Sequence, residues 1–244
     1  MKKIYWFKKV TSTQDKARSI AGKATGKGAV IASLTQTAGR GRFGKEWFSP
    51  KGGLWFSILL YPEISPKEAS MLTMVAGVAV IETLKVFYDI KVEMKWPNDI
   101  VVKDKKGGLR KVGGILTEAS IKNKKLEYVI IGAGINVNNN IDRKALKASS
   151  IRTISGRKLD LKKLLNKILM CFDTYYFIFI QSGRKTIIDK CRELMALTGR
   201  KVIVDNGGKL IKGIVSGIAD DGSLLLKSGG KRIKILAGEV KLMK

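Results

Sequence analysis

The sequence predicts an α/β (α+β) chain in which a larger domain, with a mixed, largely antiparallel sheet and helices, is followed by a small β-barrel. Three observations carry this. Two long helical stretches, residues 65–87 and 160–180, stand among β-rich runs. Three of those runs, "KVEMKWPNDIVV", "KVGGILTEASI" and "LEYVIIGAGINVN", are joined by short polar turns and read as an antiparallel meander. From Gly199 the texture changes to short β runs with turn pairs, which divides the chain into residues 1–196 and 197–244.

Taken in order, "KIYWFKK" reads as an edge-type strand. In "TSTQDKARSIAGK" (11–23), Ser12 or Thr13 can cap a helix and Asp15 favours its first turn. The strand "GAVIASLTQT", an Arg/Gly-rich loop and the strand "GLWFSILLYP" come next. Ser65 and Glu68 form a capping box with Pro66 at the first helical position, and Met71 to Leu84 is apolar nearly all round, so this helix is expected to be buried. After the meander come the helix at 160–180 and a shorter one at 184–197. In the last domain, Asn206-Gly207 and Asp221-Gly222 are hairpin signals in a barrel of about five strands.

A chain of 244 residues, 45% apolar, is long enough for a large domain plus a small one. No apolar run in the sequence approaches the roughly 20 residues of a membrane span, the longest being "LWFSILLY" and "YYFIFI". The start, "MKKIYWFKKV", is too short in apolar residues for a signal peptide, so the chain is expected in the cytoplasm. Cys171 and Cys191 have no C-x-x-C partner, which indicates core filling rather than a disulfide framework or zinc site. The absence of histidine excludes Ser-His and Cys-His nucleophile systems, HExxH zinc sites and imidazole bases, leaving Lys, Arg, Asp, Glu and backbone amides for any catalysis. A net charge of +27 predicts attraction to nucleic acid, an acidic protein or a phosphorylated substrate, and does not choose between them.

Three segments concentrate chemistry. "TAGRGRFGKEWFSP" contains a literal G-x-G-x-x-G at Gly39, Gly41 and Gly44, but the chain continues from it as a loop and a strand. A dinucleotide fingerprint needs a helix there. Glycine lets backbone N–H groups approach a ligand and arginine supplies a charged fork, so Arg40 and Arg42 can close over an anion, with Phe43 and Trp47 to cover a base or exclude water. A solvated basic loop is the plainer alternative. In "KWPNDI", Pro97 blocks strand pairing and leaves Lys95, Asn98 and Asp99 at a strand end. In "KVGGILTE" and "GAGINVN", Gly113, Gly114, Gly132 and Gly134 interrupt strong strands, as a flat ligand across the sheet or a pair of β-bulges would require.

In series, "TSTQ", "QTAGRGRFGKEWFSPKGGLWFS", "KWPND", "KVGGILTE" and "IGAGINVN" resemble the biotin protein ligases in order and approximate spacing, over essentially the whole chain. The resemblance implies a class II aminoacyl-tRNA synthetase-like catalytic domain followed by an SH3-like barrel. It implies a two-step reaction: biotin and MgATP give biotinyl-5′-AMP and pyrophosphate, and the acyl group then passes to a lysine of a carboxylase's biotin carboxyl carrier domain. By motif, Ser12, Thr13 and Gln36 should meet biotin's ureido end, with Gly114, Gly132 and Gly134 along its rings and tail. Gly39, Arg40, Gly41 and Arg42 belong to the loop that closes on biotin and the adenylate. Lys111 matches the catalytic lysine between the biotin carboxylate and the α-phosphate. Trp47, Asn98 and Asn136 should lie near the adenine and phosphates, Lys95 near phosphate, and Asp99 near the acceptor lysine. No residue is assigned to Mg²⁺.

The chain departs from the family in two ways. The loop "IVVKDKKGGLR" is longer than usual, so Lys105, Lys106 and Arg110 compete with Lys111, which is favoured by its kept offset to Gly114. There is also no room for the N-terminal helix-turn-helix of bifunctional members, so a ligase that is not a repressor, without specific DNA or membrane partners, is expected. An acidic carrier domain is the expected explanation of the basic surface. Monomer and homodimer are both compatible with the sequence. The nearest rival is a lipoate-protein ligase, which "KWPND" and "GRGRFG" fit less well. A basic nucleic-acid-binding protein is the rival from another class: residues 200–244 carry ten Lys/Arg against four acids, a net +6, but lack interleaved aromatics.

Overall fold

The computed structural model describes residues 3–21, 28–141 and 147–243. Seven strands form the larger sheet: β1 (Lys3–Phe7), β2 (Ala29–Ser33), β3 (Leu54–Leu60), β4 (Glu93–Lys95), β5 (Asp99–Lys103), β6 (Leu109–Lys122) and β7 (Lys125–Ile135). Their spatial order is β1-β2-β3-β7-β6-β5-β4. Only β1 and β2 run parallel, so the sheet is mixed and largely antiparallel, with β1 at an edge.

The pleat divides each strand between two faces. On β7, Val129, Ile131, Ala133 and Ile135 enter the main core, against α2 (Met71–Tyr88), which also packs on α4 (Leu161–Ser182) and α5 (Arg184–Glu193). The alternate residues Ile130, Gly132 and Gly134 face the other way. Ile130 joins Ile31 and Leu59 beneath Ala17 and Ala21 of α1 (Thr13–Ala21). Beside the start of α1, β7 presents only Gly132 and Gly134 on this face, and a hollow results. Gly22 and Lys23, expected to extend α1, lie outside the described residues.

Several local expectations need correction. The first meander segment is two strands, β4 and β5, because Pro97 cannot donate to a ladder and the chain turns through Trp96–Asn98. The Ser65–Glu68 capping box closes a 3₁₀ turn, Pro66–Glu68, and α2 begins only at Met71. Pro66–Tyr88 is in fact long and apolar enough to cross a membrane, but 72% of its apolar window is buried within the protein. A short helix, α3 (Ile151–Ser155), capped by Ser150, had no clear signal.

The C-terminal sheet comprises β8 (Lys201–Asn206), β9 (Lys209–Ile218), β10 (Leu224–Ser228), β11 (Lys231–Ile235) and β12 (Glu239–Leu242), in the order β11-β10-β9-β8-β12. Five strands were expected. The β8–β9 turn uses Gly207 and Gly208, at φ 65° and 90°, as its central pair rather than Asn206-Gly207. This unit is joined to the larger domain at the β4–β5 turn and at α5. Trp96 Nε1 donates to Gly222 O (2.9 Å) and Arg192 Nε to Ile218 O (2.9 Å). Cys191 is fully buried, which pushes its thiol up to about 12, and Cys171 packs against the core; both are free.

Candidate active site

A cavity of about 490 Å³ opens over the glycine-floored face, a volume suited to a small-molecule ligand. Four elements wall it: the start of α1, the Arg/Gly loop, the β4–β5 turn and the front of β12.

At the α1 end, Ser12 Oγ caps the helix by accepting from Gln14 N (3.2 Å). Thr13 is drawn inward: its Oγ1 accepts from Ser57 Oγ (2.8 Å) and donates to Gln36 Oε1 (3.1 Å), which also accepts from Thr13 N (2.8 Å). Gln36 Nε2 donates to Ser49 Oγ (2.8 Å), so this amide is committed to the fold. Gln14, which sequence reasoning passed over, lies on Gly132, where a Cβ would come 2.9 Å from its Cδ. Its Nε2 donates to Glu118 Oε2 (2.8 Å) and Leu116 O (3.3 Å), two acceptors that fix the amide's orientation, while its buried Oε1 has no partner.

The loop from Gly39 to Trp47 forms a small hairpin, closed by Gly41 N to Lys45 O (2.7 Å) and Trp47 N to Gly39 O (2.8 Å). Phe43 and Gly44 take left-handed conformations at its tip. Arg40 is held at the rim by Asp15 (2.7 Å), and this hydrogen bond keeps the Asp15 carboxyl below its ordinary range. Arg42 donates to Asn98 Oδ1 (3.2 Å) and Gly238 O (3.5 Å), and burial lowers its basicity. Lys45 pairs with Glu239 of β12 (2.5 Å). The C-terminal unit thus grips the loop.

The flat group lying on the sheet is the Trp47 indole. A Cβ at Gly134 would come 2.5 Å from its Nε1, and one at Gly114 would come 3.2 Å from its ring. Gly132 and Gly134 pair in regular register, so the β-bulge alternative does not hold for them. A register shift does occur between β5 and β6: Ile100 faces Gly113 and Val101 faces Lys111, leaving Val112 extra. Simple alternation would put Val112 on the cavity face and Lys111 in the core. The bulge exchanges them. Val112 is fully buried in the core, and Lys111 enters the cavity, with Nζ 2.6 Å from Asp99 Oδ1 and 4.8 Å from the Trp47 ring centroid.

Asp99 Oδ2 lies 3.6 Å from Lys95 Nζ, so one carboxylate lies between two ammonium groups. Asn98 Nδ2 donates to Ile115 O (2.9 Å), which fixes the turn. Beyond the end of β7, Asn136 Oδ1 accepts from Asn139 Nδ2 (3.1 Å). The longer loop closes as a hairpin around Asp104, whose carboxylate takes Lys106 N, Gly108 N and Arg110 Nε (3.0, 2.8 and 3.0 Å). Lys105, Lys106 and Arg110 do not line the cavity.

Of the residues to which the resemblance gave a ligand or catalytic role, all but Gly39 line this one cavity; Gly113, also expected under a flat ligand, does not, and packs against Ile100 instead. Gly39 packs behind the cavity: a Cβ there would come 2.4 Å from Trp47 O, so its role is to let the hairpin close. Gln14, Asn139 and the β12 residues were missed. Nothing in isolated amide side chains separates a ligand contact from an ordinary polar residue, and only the fold brings β12 here. Among the described residues no cluster of three acidic or cysteine side chains could hold a metal.

Comparison with known proteins places this geometry. Residues 6–136 match the Biotin/lipoate A/B protein ligase family, and residues 198–243 match the Biotin protein ligase C terminal domain. The chain is 35% identical over 241 residues to a bifunctional ligase/repressor BirA of Bacillus spizizenii, covering 96% of this chain and 72% of the relative. It is 30% identical to a biotin–acetyl-CoA-carboxylase ligase of Paracoccus denitrificans, covering 94% and 96%. Among solved structures, the biotin protein ligase from Aquifex aeolicus in complex with biotin and ATP superposes with a TM-score of 0.84 at 31% identity, covering 100% of both chains. The architecture is accordingly class II aminoacyl-tRNA synthetase-like with an SH3-like barrel, as the sequence motifs implied. Cavity, loop and barrel agree with the sequence matches at both ends, and the chain belongs to the biotin protein ligases.

Proposed function

We propose that this enzyme activates biotin with ATP as biotinyl-5′-AMP in the cavity described, and transfers the acyl group to a lysine of a biotin carboxyl carrier domain. The observation that carries the assignment of roles is the bulge that turns Lys111 over the glycine floor, 2.6 Å from Asp99 and out of the core.

In the first step a carboxylate oxygen attacks the α-phosphorus and pyrophosphate leaves. Two anions must be brought together, which Lys111, Lys95 and Arg42 favour without a proton-transferring group. This suits a chain with no histidine. Magnesium enters this reading as part of the MgATP substrate. In the second step the acceptor amine attacks the acyl carbon and AMP leaves. The amine must first lose a proton, and Asp99 is the cavity carboxylate placed to take it once Lys111 has turned to the phosphate. Ser12 and Thr13 belong to the ureido end, joined by Gln14, whose unpartnered Oε1 suits a ureido N–H. Trp47, on Gly114 and Gly134, forms the wall between the two halves of the ligand.

Exchange of labelled pyrophosphate into ATP tests this reading. Exchange stimulated by biotin and not by lipoate is expected, whereas stimulation by lipoate alone would move the chain to the lipoate branch. Gln14→Leu is expected to raise the KM for biotin roughly 10–100-fold while leaving that for ATP nearly unchanged, because a buried polar partner is lost at one end only. An unchanged biotin KM would remove Gln14 from the site.

We further propose that the carrier is acidic and is the macromolecular partner the basic surface serves, in preference to specific DNA. Cross-strand pairing sets Lys201, Ile214, Lys227 and Arg232 in one exposed row on the barrel. Transfer should then slow as salt rises from 0.05 to about 0.5 M, while exchange changes little, because salt screens long-range encounter more than a closed site. Equal slopes for the two steps would remove this explanation. The reading places the enzyme in the cytoplasm, where free thiols persist. It also places the functional boundary after residue 196, with the barrel as clamp on the loop.

A further inference from the structure

Among the described residues, four buried side-chain polar atoms lack a hydrogen-bond partner: Gln14 Oε1, Trp47 Nε1, Asn139 Oδ1 and Glu82 Oε1. The first three belong to residues that line the cavity. Glu82 lies elsewhere, and its Oε1 is ion-paired with Lys190 Nζ at 3.2 Å. Buried polar groups without partners are uncommon in folded proteins, so three at one cavity mark where a ligand's polar atoms are to be met.

Their order runs along β7. Gln14 lies on Gly132 and Trp47 on Gly134, and Asn139 stands beyond the strand's end at Ile135. At roughly 3.3 Å per residue, the first two are about 7 Å apart along the strand. On the ligase reading, Lys111, which lies beside Gly114 and the Trp47 ring, stands where carboxylate and α-phosphate meet. With the ureido end at Gln14, the nucleobase falls on the far side of Lys111, at Asn136 and Asn139. Ile141 and Ala148 line the cavity there and offer apolar surface to a flat ring.

Asn139 is 4% exposed, and one N–H of its Nδ2 donates to Asn136 Oδ1, which fixes the orientation of the amide. The atom that has no partner is its Oδ1, an acceptor. Adenine carries an amino donor at C6, whereas hypoxanthine and guanine carry a carbonyl oxygen there. We propose that Asn139 is a base-selecting residue, accepting from the exocyclic amine of adenine through Oδ1 and rejecting 6-oxopurines by opposing two acceptors. This inference rests on the ligase reading and adds a residue that decides nucleotide choice.

The experiment is biotin-dependent pyrophosphate exchange with ATP and with ITP, on wild type, Asn139→Leu and Asn139→Asp, reported as the ATP/ITP ratio of kcat/KM. A ratio taken on one preparation does not depend on the fraction folded. Wild type should favour ATP by at least about 100-fold, the scale of discrimination when a site's polar group is left unpaired. Asn139→Leu should lower that ratio at least about tenfold, and Asn139→Asp, which keeps an acceptor, should retain most of it. A merely structural asparagine would lower both nucleotides together, so an unchanged ratio in Asn139→Leu overturns the inference. A wild type indifferent to ITP does the same. Absence of exchange with either nucleotide would instead overturn the ligase reading beneath it.

Discussion

Lys111→Ala should lose biotin-dependent pyrophosphate exchange by on the order of 10³-fold, the cost of removing a preorganised charge from the position where two anions meet. The effect should fall on kcat, because Lys111 is held between Asp99 and the Trp47 ring before any substrate binds and its work is done as the carboxylate closes on phosphorus. Lys105→Ala and Lys106→Ala are the controls. Both side chains are exposed on a hairpin closed by Asp104, away from the cavity, and both variants should keep near wild-type exchange. If Lys111→Ala were active and either control dead, the bulge at Val112 would have no catalytic meaning.

The second large effect concerns Trp96. It is 2% exposed in the turn between β4 and β5, and its indole N–H reaches across to Gly222 O of the barrel. Trp96→Ala should cost about 3–5 kcal/mol, the range for emptying a buried aromatic site. For a chain of this size that corresponds to a fall in Tm of roughly 6–20 °C by calorimetry. Trp96→Phe keeps most of the packing and loses the hydrogen bond, at about 1–2 kcal/mol. Because the same turn carries Lys95, Asn98 and Asp99, the alanine variant should also lose exchange activity while still folded. A Tm shift under about 2 °C would show that the turn and barrel are not coupled through this side chain.

These residues show what the sequence could and could not disclose. The order of strands and helices was legible because apolar periodicity and turn chemistry act locally. Nearly all the residues that the motif series singled out do line the cavity, since glycines inside strong strands and arginines in a glycine loop are costly without a purpose, but much of the lining, including Gln14, Asn139 and β12, was not named. The aim of Lys111 was not legible. It depends on Val112 being unpaired, and a bulge is a property of two strands in register, not of one segment. Trp47 illustrates the same limit: the sequence called for a flat group on the glycines, and only the closed hairpin shows that a side chain of the chain itself lies there. Gly39 was read as a ligand contact because it belongs to the motif, whereas its backbone has the tighter task of passing Trp47 O. Gln14 and Asn139 could be found only by asking which buried polar atoms remain unpaired.

Mass analysis of the nucleotides released when enzyme incubated with biotin and MgATP is denatured tests the central claim most directly. The account predicts biotinyl-5′-AMP together with pyrophosphate, and neither when biotin is omitted. Formation of ADP with biotinyl phosphate, or with the phosphate its hydrolysis leaves, in a biotin-dependent way would place the attack at the γ-phosphorus, and the roles given to Lys111, Arg42 and the glycine floor would be wrong.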